Sequence, residues 1–311
     1  MIDPISVFEH FTLVTPFGVR FWDGVTGRVI ADGLNVTAYS PLNVVHQIQT
    51  IGNRKFLNVL AHRILAFPNR QGVYVLQHLP GLRAIENGVG DANFWANLPA
   101  PKRSFVIEVI DTSRRFQPFS FTTELPARGL FTLTCEPVGS PLDATMSMVP
   151  LYSAASRLVP GGMAVLRADL WDPEANVPAP WAVLEAHLPG QPPVRGLAGI
   201  DGHVVLVFPY PEPINSATQS LDSPPGSTTT ALTEQKWPIS LQASYTRLSP
   251  VPRLPDLCTT LTQQAANLWV DAAFSRPLTE GTLKFGRELV VQSQGSTPPS
   301  VLLITPAASP P

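Results

Sequence analysis

The chain has 311 residues, 34 of them proline, with 44% apolar and 14% charged residues and a formal charge of −2. Proline at about twice its usual share of roughly 5% excludes a mostly helical protein, because proline can neither donate to a ladder nor sit inside a helix. The near-neutral charge offers no electrostatic grip on nucleic acid or an anionic membrane, and the apolar content excludes a disordered chain.

The N-terminus, Met1-Ile2-Asp3-Pro4, lacks the basic start of a secretory signal, and no apolar run approaches the roughly 20 residues of a membrane span. Both features predict a cytoplasmic chain with no membrane insertion. A strand pattern is then used twice. Its first copy runs Val19-Arg20-Phe21-Trp22-Asp23, turns through Gly24 to Gly27, and returns from Arg28. After an excursion it reaches Gly72-Val73-Tyr74-Val75-Leu76 and Leu79-Pro80-Gly81. Within the excursion Val44, Val45, Ile48 and Ile51 fit helical spacing, and a long connection between two strands fits equally.

Phe105, Ile107 and Val109 alternate as in a strand, Asp111-Thr112-Ser113-Arg114-Arg115 turns the chain, and Phe116 to Phe121 leads back as a hairpin. A strand from Gly129 to Glu136 is expected to close the unit. The second copy runs Leu166-Arg167-Ala168-Asp169-Leu170-Trp171-Asp172, turns through Asn176, and continues in an apolar run from Trp181 to Ala186. It ends in Gly202-His203-Val204-Val205-Leu206-Val207-Phe208-Pro209. A last strand follows at Ile239 to Tyr245. Asp256 then caps a helix starting at Leu257, and Leu283 to Gln292 faces Val301 to Ile304 as a hairpin.

The predicted fold is all-β: two tandem β-sandwiches of transthyretin or immunoglobulin type with a small C-terminal helix plus hairpin extension. The expected divisions are 1–137 for the first sandwich and 138–150 for a linker. Residues 151–250 make the second sandwich, including a Ser/Thr/Pro-rich loop at 211–238, and 251–311 the extension.

No catalytic signature is present: no Gly-x-Ser-x-Gly elbow, no His-Glu-x-x-His, no phosphate loop. The six histidines fall at no ligand spacing, so neither cofactor nor metal is expected. Asp169 and Asp172 lie three apart on a strand and face opposite ways, so they cannot share a proton. Asp23 and Asp172 instead suit caps on turn amides. Trp22 and Trp171 read as core, and Cys135 as a buried free thiol rather than half of a disulfide. Candidate contact residues are Phe94, Trp95, Arg114 and Arg115; for Trp95 core and interface both fit.

The run Phe21-Trp22-Asp23-x-x-Thr26-Gly27-x-x-Ile30, followed by Gly72-x-Tyr74-x-Leu76-x-x-Leu79-Pro80-Gly81, resembles the carboxypeptidase-regulatory or transthyretin-like family. That resemblance implies structural and binding modules without an active site of their own. Leu79-Pro80-Gly81-Leu82-Arg83, Leu125-Pro126-x-Arg128-Gly129-Leu130-Phe131, Phe208-Pro209-Tyr210-Pro211 and Leu283-Lys284-Phe285-Gly286 are similar to a protein type of contractile, phage-tail-like injection systems. This second resemblance implies a non-enzymatic baseplate or accessory subunit whose partners are baseplate, tube or sheath proteins. The alternative is a carbohydrate- or cell-surface-binding β-sandwich module.

Overall fold

A computed structural model describes residues 15–82, 102–127, 129–135, 148–212 and 232–307. The protein is all-β. Its first strands are β1 (Phe17–Val19), β2 (Phe21–Asp23), β3 (Arg28–Val29), β4 (Leu34–Tyr39), β5 (Val45–Ile51), β6 (Arg54–Leu60), β7 (Ile64–Leu65), β8 (Phe67–Pro68), β9 (Tyr74–Leu76), β10 (Arg103–Asp111) and β11 (Phe119–Leu125). The chain continues through β12 (Val149–Leu151), β13 (Met163–Asp172), β14 (Val177–Pro178), β15 (Val183–His187), β16 (Val194–Leu197), β17 (His203–Pro209), β18 (Lys236–Ser244) and β19 (Val251–Pro252). A short helix, α1 (Leu257–Leu261), precedes β20 (Ala265–Leu268), β21 (Glu280–Lys284), β22 (Leu289–Val291) and β23 (Leu302–Pro306).

The duplicated pattern folds the same way twice. In the first copy β2 pairs antiparallel with β3, Trp22 opposite Val29 and Asp23 opposite Arg28. In the second, β13 pairs with β14, Trp171 opposite Pro178 and Asp172 opposite Val177. Gly27 (φ 66) and Asn176 (φ 51) hold the same left-handed turn position, where glycine and asparagine are the residues that fit most easily. Beyond each turn one backbone bond repeats: Ile30 N–H donates to Phe21 and Ala179 N–H to Leu170, both at 2.9 Å. The Gly-led strands also correspond, β9 running antiparallel to β1 and β17 to β13.

Two apolar cores result. The first gathers Phe17, Phe21, Phe105, Ile107, Phe119 and Phe121 from the early sheets; the second gathers Leu166, Leu170, Leu206, Phe208, Trp237 and Leu241. Between them lies the antiparallel pair β15–β16, covered on both faces at its Val183–Leu197 end. Val183 and Leu197 belong to the first core, while their neighbours Leu184 and Ala198 belong to the second. A strand covered on both sides reads as an unbroken apolar run, which explains Ala182-Val183-Leu184. Trp181, at φ 61 and fully buried, leads into this layer and donates its indole N–H to the Pro252 carbonyl at 3.0 Å.

The chain crosses between the cores more often than its sequence suggests. β12 leaves the expected linker and pairs in parallel with β2 of the first unit. After β18 the chain returns there: β19 pairs with β6, Ser120 N–H donates to the Pro255 carbonyl, and α1 follows with Leu257 in the first core. Asp256 caps α1 as predicted, its carboxylate accepting from Thr259 N–H at 2.8 Å. The last strands then go back to the second unit. Rather than hydrogen bonding to each other, β22 and β23 each run parallel to β13. The segment from β20 onward is thus part of the second core, and β12 spans the position expected to end the linker.

The 43–67 stretch, for which helix and a long connection between strands fit equally, takes the second form: β5 and β6 make a hairpin on the two-residue turn Gly52-Asn53. Two further expectations are corrected. Residues 129–135 form no strand, because Phe131 makes a single backbone bond, to Gly18 at 2.8 Å, before stacking on Phe121. Cys135 is not a free thiol: it is bonded to Cys258 across 123 residues, at a Cα separation of 5.0 Å. The returning chain brings α1 against the end of the first unit, an approach no local spacing records. Among the described residues no helix is long and apolar enough to cross a membrane. Peptide mapping without reductant is expected to recover the Cys135–Cys258 link, and the double substitution Cys135→Ser, Cys258→Ser to lower stability by about 2–4 kcal/mol in denaturant titrations.

Candidate functional site

Each Trp-Asp step ends in a buried carboxylate that holds its turn. Asp23, 1% exposed, accepts from Val25 N–H at 3.1 Å and from the Thr26 hydroxyl at 2.6 Å. Asp172, 0% exposed, accepts from the amides of Glu174 and Ala175, both at 3.1 Å. The capping role expected for both is what the structure has. Each carboxylate also meets an arginine from a distant segment. Arg157 donates from Nη1 and Nη2 to the two oxygens of Asp23 at 2.9 and 2.6 Å. Arg247 does the same for Asp172 from Nε and Nη2, and the Tyr245 hydroxyl adds a bond at 3.2 Å.

A third clamp adjoins the first. Asp111 accepts from the Arg115 amide at 2.6 Å and from its guanidinium at 3.0 and 3.2 Å. The guanidinium groups of Arg115 and Arg157 both lie over the Phe116 ring, 5.3 and 5.0 Å from its centre. Phe116 itself bridges to Ser153, and Ala154 N–H donates to the Arg115 carbonyl at 2.9 Å. One cluster therefore joins the β2 turn, the β10 turn and the segment that leads to the second unit. Burial alone would raise the Asp23 carboxyl; the hydrogen bonds from Arg157 and Thr26 outweigh it and hold it below its ordinary 3.8.

Because Asp23 and Asp172 point inward, the preceding tryptophans point the other way. Trp22 and Trp171 are half-buried rather than core. Trp22 lines a cleft of about 690 Å³ between the units, walled by Pro150 and Tyr152 on one side and by Pro193, Arg195 and Phe208 on the other. Its indole lies across its own turn, where a Cβ added at Gly27 would approach to 3.8 Å. Burial pushes the Tyr152 phenol up to about 12. Arg195 bonds Glu185, whose other oxygen lies 2.8 Å from His187 Nε2. The cleft offers a flat aromatic face, proline rims and a charged wall, which are stacking and hydrogen-bonding groups.

Of the candidate contact residues, Arg115 is occupied by Asp111 and by the Asp32 carbonyl at 2.8 Å. Arg114 sits at φ 56 in the turn, its carbonyl accepting from the Ser156 hydroxyl at 2.9 Å. Phe94 and Trp95 lie outside the described residues. Asp169 and Asp172 face opposite sides as expected. Among the described residues no group of three or more His, Cys, Asp and Glu is placed to hold a metal ion. Sequence reasoning missed Arg157 and Arg247, which have no fixed spacing to their carboxylates. The outward turn of Trp22 had a usable signal, since an inward cap fixes the face of its neighbour.

No protein-family model and no curated protein matches the chain. The crystal structure of a C-terminal fragment of the pilus adhesin SpaC from Lactobacillus rhamnosus GG aligns over 95% of this chain and 100% of its own, at 10% identity. Its TM-score of 0.17 is too slight a likeness to carry any argument about fold or function.

The Asp23 clamp yields a pH prediction. The folded carboxyl takes up its proton less readily than the unfolded one, so the clamp's contribution is present above pH 3.8 and is lost as pH falls through the lower folded value. Urea titrations at neutral pH are expected to show Arg157→Met less stable than wild type by roughly 3–5 kcal/mol, because one buried charge loses its partner. That gap should narrow in acid. A loss below about 1 kcal/mol at neutral pH is what a solvent-exposed ion pair would give, and would contradict the buried clamp.

Proposed function

We propose that this chain is a non-enzymatic structural subunit that works through contact with other proteins, as a baseplate or baseplate-associated component of a contractile, phage-tail-like particle. The observation that carries the reading is the use made of its buried charges. Asp23, Asp111 and Asp172 each face an arginine and their own turn amides, so these groups are committed to rigidity. A stiff double scaffold with exposed apolar residues such as Leu42, Ile48, Phe67 and Leu158 is suited to packing among neighbours. Resemblance to transthyretin-like modules and to injection-system proteins supplies the particle; the duplicated Trp-Asp turn supports the first. The Cys135–Cys258 bridge favours a working place where thiols oxidise, such as a released particle, over a lasting stay in a reducing cytoplasm.

The Trp22 cleft favours a second reading, a module that binds carbohydrate or a cell surface. An indole face with Arg195 on the cleft wall is a fit for a sugar ring, the indole stacking and the guanidinium offering hydrogen bonds.

Isolation of the native protein from its source discriminates the two. Co-elution with tube, sheath or baseplate proteins, seen as particles in negative stain, is the expected result. Elution as a lone small monomer contradicts it. On a glycan array the second reading expects binding that Trp22→Ala abolishes, and silence across a broad array removes that reading.

A further inference from the structure

The β5–β6 hairpin presents an edge that the rest of the described chain leaves open. Its inner strand is anchored. Phe56 and Leu57 of β6 pair with Val251 and Pro252 of β19, and Arg54 reaches the second unit, donating to the carbonyls of Pro178 and Ile200. The outer strand, β5, ends the sheet, and all seven of its residues are exposed. Proteins commonly blunt such edges with charge, proline or bulges. Val45-His46-Gln47-Ile48-Gln49-Thr50-Ile51 contains no lysine, arginine, carboxylate, proline or glycine, in a chain with 34 prolines. Its apolar side chains stand in solvent, with Val45 59%, Ile48 62% and Ile51 55% exposed.

This strand reads almost alike in both directions from Ile48. Gln47 mirrors Gln49, His46 mirrors Thr50 as a hydrogen-bonding side chain, and Val45 mirrors Ile51 as a β-branched apolar one. The turn decides which backbone groups are free. Gly52, at φ 58, and Asn53 make a two-residue turn that closes on Ile51 and Arg54, and such a closing pair exchanges both its backbone bonds across the hairpin. Alternation assigns Gln49, Gln47 and Val45 to the same inner ladder. The N–H and C=O groups of His46, Ile48 and Thr50 are left pointing outward, and they too are symmetric about Ile48.

We propose that two copies of this chain pair antiparallel through β5 about a two-fold axis at Ile48, joining two three-stranded sheets, each β19-β6-β5, into one of six strands. Ile48 exchanges both backbone bonds with Ile48 of the second copy, and His46 with Thr50, in each direction. Gln47 then faces Gln49, and Val45 faces Ile51. Leu57, opposite Ile48 in the hairpin register, extends an apolar row Leu57, Ile48, Ile48, Leu57 across one face. No like charges meet along the new ladder, because β5 has no charged residue. The mirror symmetry selects a second copy over a different protein, since a foreign strand would place no requirement on β5 to match itself. The proposal goes beyond the reading above and holds whichever larger assembly the chain joins. One strand edge covers less than the roughly 800 Å² per partner of a stable complex, so reversible association in the micromolar range is expected.

Sedimentation velocity of the full chain over a micromolar concentration series tests this. The expected result is a shift from 33.7 kDa toward twice that mass as concentration rises. Ile48→Lys, at an exposed site, is expected to hold the chain at monomer mass with unchanged far-ultraviolet circular dichroism. Mixing it with Ile48→Glu should restore the dimer. Thr50→Pro removes an outward N–H and no inner bond, and is expected to abolish dimers as well. Wild type at monomer mass throughout would overturn the proposal and leave the edge to a strand from another protein. A wild-type dimer that neither variant weakens overturns it also, by placing the contact elsewhere.

Discussion

A carboxylate buried at the end of a strand needs donors and a counter-charge, and meeting that need organises this protein. The turn amides beside Asp23 and Asp172 are local and follow from the Trp-Asp step itself. The counter-charge is not local. Arg157 and Arg247 arrive from 134 and 75 residues away, and each fixes where a later stretch of chain must run. Around Phe116 the distant Arg157 and the local Arg115 share one aromatic ring, so the first β-sandwich and the segment leading out of it are set together. Removing Arg157 or Arg247 would leave a buried carboxylate unpaired, which costs far more than a surface pair would return.

The same logic explains what could be read from the sequence. The duplicated turn was legible because its requirements are short-range: an aspartate to cap, a glycine or asparagine at the left-handed position, and strand alternation on both sides. The opposite facing of Asp169 and Asp172 followed from the pleat alone. Trp22 and Trp171 depart from the core position that an apolar side chain in an alternating strand suggests, because the aspartate beside each already holds that face. In the hairpin arm the apolar residues Val45, Ile48 and Ile51 repeat at a helix-like interval, yet an exposed strand has no burial period to obey. Periodicity therefore carried no information there. The Cys135–Cys258 bond, the two distant arginines and the return of α1 to the first core all depend on contacts across most of the chain. Only the three-dimensional path shows them.

The inward-facing ionisable groups of the clamps are consumed in holding turns, and the features left over face outward: a cleft with an indole wall between the units, and a hairpin arm with an uncharged edge. Both sit on rigid supports. The cleft is framed by strands of both cores, and the arm is tied midway along β6 by β19 and beside its turn by Arg54. Rigid presentation lowers the ordering cost of association, which is the property a structural subunit or a binding module needs.

All of this requires that the two cores behave as one body, with β15–β16 as their shared layer and the chain crossing between them repeatedly. Native-state hydrogen exchange in rising denaturant probes that directly. The amides of β10 in the first unit and of β13 in the second are expected to merge into a single opening of equal free energy and equal denaturant dependence. Exchange of β10 through a separate, lower-energy opening while β13 stays protected would mean two independent domains, and would contradict the account.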